Sequence, residues 1–102
     1  MSLSEKNVSE NIEELVAILS EIHDPKMICG FLTELFTKAE IKDIAARWAI
    51  VKELDKKTPQ RKIAKELGIS LCKITRGSKE LKKDNSILRK MLRHCKNEST
   101  SV

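Results

Sequence analysis

An all-α fold of six helices containing a helix-turn-helix is what this 102-residue sequence predicts, and three observations carry that expectation. Apolar residues recur at spacings of three and four along most of the chain, the period of an α-helix buried on one side. Helix-starting residues precede these stretches at regular intervals. With only three aromatic residues, two prolines and three glycines, the sequence lacks the side chains and turn residues from which a β-sandwich is built.

The elements follow in order. Residues 1–8 read as a flexible polar arm, residues 9–96 as a single helical domain with its helix-turn-helix at 59–79, and residues 97–102 as a flexible polar tail. From about Ser9, Ile12, Leu15, Val16, Ile18, Leu19 and Ile22 are the apolar positions of a first helix, with Glu10, Glu13 and Glu14 in its early turns, where the helix dipole favours acids. Asp24-Pro25 supplies an N-cap and a first-turn proline for a second helix carrying Met27, Ile28, Phe31, Leu32, Leu35 and Phe36. Gly30 lies inside that helix at some cost, which a close helix contact would offset. Thr37-Lys38-Ala39-Glu40 has capping-box spacing and opens a third helix, with Ile41, Ile44, Ala45, Trp48, Val51 and Leu54 as its apolar face. Thr58-Pro59 repeats the cap-and-proline signal for a short helix over Pro59–Glu66. Ser70 caps a fifth helix running to about Lys79, and Ile87, Leu88, Met91, Leu92 and Cys95 mark a sixth.

Charge divides the chain. Residues 1–50 carry five Lys/Arg against nine Asp/Glu, a net of −4, while residues 51–102 carry fifteen against six, a net of +9. A basic half beside an acidic half assigns any anionic partner, nucleic acid foremost, to the second half. Cys29, Cys72 and Cys95 are odd in number and far apart, which fits neither a disulfide framework nor a zinc site. No apolar run resembles a signal peptide or a membrane span, so the expectation is a cytoplasmic protein that binds no membrane and no metal.

The segment Gln60–Lys79, QRKIAKELGISLCKITRGSK, fits a helix-turn-helix position by position. Ala64 falls where the first helix must be thin for the second to cross it. Gly68 falls in the turn, where a left-handed backbone is needed. Ile63, Leu67, Ile69 and Ile74 are the apolar lock between the helices. Gln60, Arg61, Lys62, Lys65, Ser70, Lys73, Thr75 and Arg76 remain as exposed polar and basic positions of the kind that meet phosphates and base edges.

From Thr37 to Leu81 the sequence resembles the trp repressor family. The residues that carry the resemblance are Arg47 in the third helix, Gln60-Arg61, Glu66-Leu67-Gly68, and the run Ile74-Thr75-Arg76-Gly77-Ser78. The resemblance implies an intertwined homodimer whose N-terminal helices form a shared core. It implies L-tryptophan as corepressor, setting the angle of the two helix-turn-helix units on a near-palindromic operator in double-stranded DNA, at genes of tryptophan biosynthesis or uptake. It implies that Arg47 and Arg76, one from each chain, sandwich the indole, with Arg76 also holding the carboxylate. Thr37 and the backbone carbonyls of Glu34 and Phe36 then surround the ammonium and carboxylate, and Gly77 packs against the ring. DNA contacts are implied for Gln60, Arg61, Ser70, Lys73, Thr75, Arg76 and Lys82, with Ile69, Leu71 and Cys72 against the groove.

The chemistry of the residues fits this and also admits plainer roles. A guanidinium is planar, stacks on aromatic faces and grips a carboxylate with two bonds. Yet Arg47 also stands one turn from Asp43, at ion-pair spacing, and Arg76 also suits a simple phosphate contact. The sequence departs from the family at two positions and in the connection Lys56-Lys57-Thr58, which is shorter than usual in the family. Lys73 replaces a small hydroxyl residue, and Glu80 replaces a serine near the ligand ammonium. Glu80 either pairs with Arg76 one turn back or lends its charge to the ammonium. These departures keep a second reading open, a ligand-independent helix-turn-helix regulator. A third is a helical adaptor that docks an acidic protein on residues 51–102. Trp48 reads as core or interface. His23 and His94 are isolated, and no arrangement of nucleophile, base or paired carboxylates suggests an enzyme.

Overall fold

Caps written into the sequence decide where most of the helices begin. In the computed structural model, which describes residues 2–100 and the side chains of residues 2–95, six helices and no strand occur among the described residues. They are α1 (Glu5–Glu21), α2 (Pro25–Leu35), α3 (Lys38–Asp55), α4 (Gln60–Leu67), α5 (Leu71–Leu81) and α6 (Ile87–Thr100). Residues 1, 101 and 102, the extremes of the expected arm and tail, lie outside the described residues.

Both ends are more helical than the sequence predicts. α1 opens at Glu5 rather than near Ser9, because the Ser4 hydroxyl accepts from the Asn7 N–H at 3.1 Å and caps the first turn. α6 runs on to Thr100, across most of the stretch expected as a tail. The caps of α2 and α3 match the expectation. Asp24 accepts from the Lys26 N–H at 3.0 Å with Pro25 in the first turn. The Thr37 N–H donates to Glu40 Oε1 at 2.9 Å while the Glu40 N–H donates to Thr37 Oγ1 at 3.1 Å, closing a reciprocal capping box.

The start of α4 departs from the sequence reading. Pro59 is the cap and not the first helical residue, and Thr58 caps nothing. Its hydroxyl donates instead to Glu53 Oε2 at 2.9 Å. That bond, and then the Lys56 ammonium, hold the Glu53 carboxyl below the usual carboxylate range. The bond folds the α3–α4 connection back on α3. The Thr58 N–H reaches the Glu53 carbonyl and the Lys57 N–H the Leu54 carbonyl, the two bonds of a Schellman motif. The motif places Lys57 in the left-handed region at φ 64°, where the side chain of an L-residue crowds the backbone.

The chain divides into two compact units at Ile41/Lys42, within the first turn of α3. In the first unit α1 and α2 bury no residue fully. Val8, Ile12, Val16 and Ile18 of α1, and Met27 and Leu35 of α2, stay exposed. A Cβ built on Gly30 meets no heavy atom within 4 Å among the described residues, so the close helix contact expected there is not made within the first unit.

The second unit has a core. Ile50, Ile63 and Ile74 are at most 2% exposed and touch Leu54, Ala64 and Ile69 around them. Burial of each isoleucine contributes roughly 1.5–3 kcal/mol. Ile50, absent from the stripe expected for α3, is its most buried side chain. α4 and α5 pack as the expected helix-turn-helix, with Gly68 in the left-handed region at φ 64° and ψ 37°. α6 packs on α5, capped by the hydroxyl of the buried Ser86, which accepts from the Arg89 N–H at 3.3 Å. The Arg89 guanidinium binds the carbonyls of Lys83 and Asp84 and ties down the α5–α6 connection.

The two left-handed residues give opposite expectations. Lys57→Gly raises stability by up to about 1 kcal/mol and Gly68→Ala lowers it by about 1 kcal/mol, read as opposite shifts in thermal midpoint. Equal or same-sign shifts would contradict the strain assigned to Lys57.

Candidate functional site

Two helix faces of the same period enclose a cavity in the second unit. α3 contributes Ile44, Arg47, Trp48 and Val51, with Ile50 beside them, and α5 contributes Lys73, Arg76, Gly77 and Glu80. Each set of four is spaced i, i+3, i+4, i+7, one face of an α-helix. Leu88 of α6 completes a space of about 340 Å³, which suits a small ligand.

Gly77 explains how the two faces come so close. A Cβ on that residue would stand 3.3 Å from Leu54 Cδ1 and 3.4 Å from Ile50 Cγ2. The missing side chain lets α5 lie against α3 and leaves a flat patch of backbone in the cavity wall.

The walls are mainly apolar, with charges at separate points. Arg47, Lys73 and Arg76 supply three cations, and Glu80 is the one acid of the lining. Among the described residues no ion pair engages Arg47 or Arg76, so the Asp43–Arg47 and Arg76–Glu80 pairs open at the sequence level are not formed. Glu80 Oε2 instead meets Lys83 Nζ at 2.8 Å. That contact, and more weakly the charge of Arg76, hold the Glu80 carboxyl below the usual carboxylate range. Both arginines therefore face the cavity with their charges unneutralised.

Of the residues expected around a ligand, Arg47, Arg76, Gly77 and Glu80 are brought to one cavity. The resemblance implies one arginine from each of two chains, whereas here a single chain sets both on the same cavity. Glu34, Phe36 and Thr37 lie in the first unit, at the end of α2 and the start of α3. α2 ends at Leu35, so the carbonyls of Glu34 and Phe36 lack a following helical turn to supply donors. The Thr37 hydroxyl is already used by the capping box. Trp48, read from the sequence as core or interface, and Ile44, Ile50, Val51 and Leu88 also line the cavity. The α3 members were detectable as a face shared with Arg47, but nothing local marks Leu88.

The residues expected to meet DNA fall into two groups. Arg61, Ser70, Leu71, Cys72, Lys73, Thr75, Arg76 and Lys82 are exposed. Ile69 is half-buried against the core and belongs with the lock between the helices. Gln60 is half-buried too, and its Oε1 accepts from the Thr75 hydroxyl at 3.2 Å, bridging α4 and α5. Ser70 stands at the cap position of α5, but its hydroxyl makes no cap bond. Cys29, Cys72 and Cys95 are free thiols. Among the described residues no group of three His, Cys, Asp or Glu side chains is placed to hold a metal, and no helix is long and apolar enough to cross a membrane.

Comparison with known proteins places this arrangement. Residues 10–96 match the family described as Trp repressor protein. The chain belongs to the Trp repressor family. Members of the Trp repressor family are regulators of transcription and not enzymes, and this chain is a trp-repressor-like regulator. Among its relatives is a Trp operon repressor homolog of Xylella fastidiosa (strain M23), 31% identical over 84 residues, which are 81% of this chain and 88% of the relative. Another is the Trp operon repressor homolog of Chlamydia caviae, 34% identical over 70 residues, 68% of this chain and 69% of the relative. That of Chlamydia trachomatis serovar D is 31% identical over 71 residues, 69% of this chain and 76% of the relative. No solved structure matches significantly.

Gly77 is the residue on which the cavity of this Trp repressor family member depends most directly. Gly77→Val forces branched methyl groups into Leu54 and Ile50 and should cost about 1–3 kcal/mol of stability. A variant with unchanged or higher thermal stability would show that α3 and α5 are not held at this separation in solution.

Proposed function

We propose that the protein is an L-tryptophan-activated, DNA-binding repressor that acts as an intertwined homodimer on a near-palindromic operator, at genes of tryptophan biosynthesis or uptake. The observation that carries the reading is the cavity between α3 and α5, with two unpaired arginines on its walls and the flat backbone of Gly77 in its floor. A planar aromatic ring suits the apolar walls and the guanidinium faces, and a carboxylate suits the fork of Arg76.

The cavity is built partly from α5, the second helix of the helix-turn-helix, so an occupant bears directly on the helix that reads DNA. Lys73 and Arg76 line the cavity and are exposed on that same helix. Occupation selects the orientation in which both helix-turn-helix units of a dimer reach successive major grooves, with half-sites about one helical turn apart. Arg61, Ser70, Lys73, Thr75 and Lys82 contact DNA, mostly at phosphates, Gln60 is steadied by Thr75, and Leu71 and Cys72 lie toward the groove. By resemblance to the family, Glu34, Phe36 and Thr37 are further ligand contacts. The exposed apolar faces of α1 and α2 support the dimer, since apolar side chains in such number are left uncovered in one chain. The names of the relatives support the regulated genes. A ligand-independent regulator is the second reading, favoured by Lys73 at the cavity edge, where its long side chain competes for the space.

Isothermal titration with L-tryptophan, with D-tryptophan and tyrosine as controls, tests the reading. One saturable L-tryptophan per chain is expected. Arg76→Ala should abolish the gain in operator affinity that the ligand produces, and operator DNA should tighten tryptophan binding by the same factor. Absence of heat at millimolar L-tryptophan, together with operator binding that ignores it, would establish the ligand-independent regulator instead. Lys82→Ala should weaken binding on every DNA sequence and reduce the salt dependence by about one ion, a slope change of roughly 0.9. An altered base preference with an unchanged slope would remove Lys82 from the phosphates.

A further inference from the structure

Lys57 is the one residue other than glycine that takes a positive φ, 64°, among the described residues. Gly68 holds the same angle at the far end of α4, where the missing side chain removes the crowding. The two turns meet one backbone requirement with different residues, and the α3–α4 turn takes the strained one. Lys57 is held there by its own N–H on the Leu54 carbonyl, by the Thr58 N–H on the Glu53 carbonyl and by the Thr58 hydroxyl on the Glu53 carboxylate. Strain that the surroundings over-determine in this way directs attention to the side chain that stays in spite of it. That side chain is exposed, and its ammonium enters no ion pair among the described residues. The neighbouring lysines differ. Lys56 meets Glu53 at 3.6 Å and Lys62 meets Glu66 at 3.9 Å. Lys57 and the exposed Arg61, four positions apart on either side of the start of α4, are the cations left uncommitted at this junction.

We propose that Lys57 contacts a DNA phosphate beside the helix-turn-helix, and that the α3–α4 turn trades stability for this contact by carrying a lysine where a glycine would be relaxed. The inference rests on the reading of the protein as a DNA-binding regulator and adds a residue outside the helix-turn-helix to its contact surface. When a helix-turn-helix docks, its first helix crosses the sugar-phosphate backbone while the second enters the major groove. The α3–α4 turn leads into that first helix, so its free cation belongs with the phosphate contacts. Such a contact adds affinity and fixes register, and carries no base information. The backbone beneath Lys57 is already fixed by the bonds of the turn, so little further order is lost when the side chain engages. A competing account gives the lysine a local task, since a cation near the end of α3 also favours the carbonyl end of the helix dipole. The two accounts separate by experiment: a charge serving the dipole changes stability alone, whereas a phosphate contact changes DNA affinity and its salt dependence.

Fluorescence anisotropy of a labelled DNA duplex of arbitrary sequence, titrated with the full chain at several salt concentrations, tests the contact without knowledge of the operator. Thermal midpoints of the same variants are measured alongside. Lys57→Gly should melt higher than the unmodified protein yet bind the duplex more weakly, by roughly threefold or more at low salt. Its plot of log affinity against log salt should be shallower by about 0.9 for each chain bound. Damage to the fold does not produce that pair of effects. Lys57→Gln, which removes the charge and keeps a side chain at the strained position, should lose the same affinity without the gain in midpoint. Lys57→Arg should retain both affinity and slope. Unchanged affinity and slope in Lys57→Gly and Lys57→Gln, with DNA still bound, would overturn the inference and leave the DNA-binding reading standing. A lower midpoint in Lys57→Gly with unchanged DNA binding would also overturn it and assign the lysine to the α3 dipole. Failure of the unmodified protein to bind the duplex at low salt would overturn both readings.

Discussion

The approach of α5 to α3 across Gly77 is the constraint on which the rest of the second unit depends. Ile50 and Leu54 sit within van der Waals reach of the place a side chain would occupy. Because they are that close, Ile50 and Ile74 share a core with Ile63 of α4, and the helix-turn-helix is anchored to α3 through its own lock residues. Any larger residue at this position would meet Leu54 and Ile50 and push α5 away from α3.

The same approach creates the cavity. Two helices touching at one level and carrying long side chains at the next enclose space beside the contact. Here that space is bordered by arginines whose nearest candidate partners are occupied elsewhere or unpaired. Both guanidinium groups are exposed and solvated, so they offer charge and a planar face to an anion or an aromatic ring without a burial cost of their own. The cavity is also physically continuous with the exposed side of α5, because Lys73 and Arg76 belong to both. In the proposed function, ligand occupancy and DNA contact are linked through one helix rather than through a relay of residues, the simplest form a coupling between sites can take.

Local chemistry was read from the sequence with few errors. The Thr37–Glu40 capping box, the Asp24-Pro25 start of α2 and the left-handed Gly68 involve residues within four positions of one another, so their geometry is decided where they stand. Some departures are local, such as the Ser4 cap of α1 and the Ser70 hydroxyl that makes no cap bond, and the others arise where a distant or competing partner intervenes. Thr58 had the right chemistry for a cap, but Glu53, five residues earlier, took its hydroxyl. Ile50 was left out of the α3 stripe because that helix is apolar on more than one side, and periodicity alone cannot rank two faces. Ile69, expected both in the lock and against the groove, packs against the core. Glu80 had Arg76 one turn behind it and Lys83 just ahead, and spacing does not choose between them.

By itself, then, the sequence determined the helices, their order, the helix-turn-helix and its turn, and the separation of an acidic from a basic half, since each depends on short-range periodicity, caps or charge. The family was visible in the run from Ile74 to Ser78 for the same reason. Tertiary structure decided which of the matched residues meet. It brought Arg47 and Arg76 to one cavity, set Trp48 and Leu88 on its wall, gave the Glu80 carboxylate to Lys83, and made Gly77 a point of helix contact. Those outcomes depend on how far apart two helices settle and at what rotation, and that is fixed by the summed fit of side chains distant in sequence, which no local pattern records.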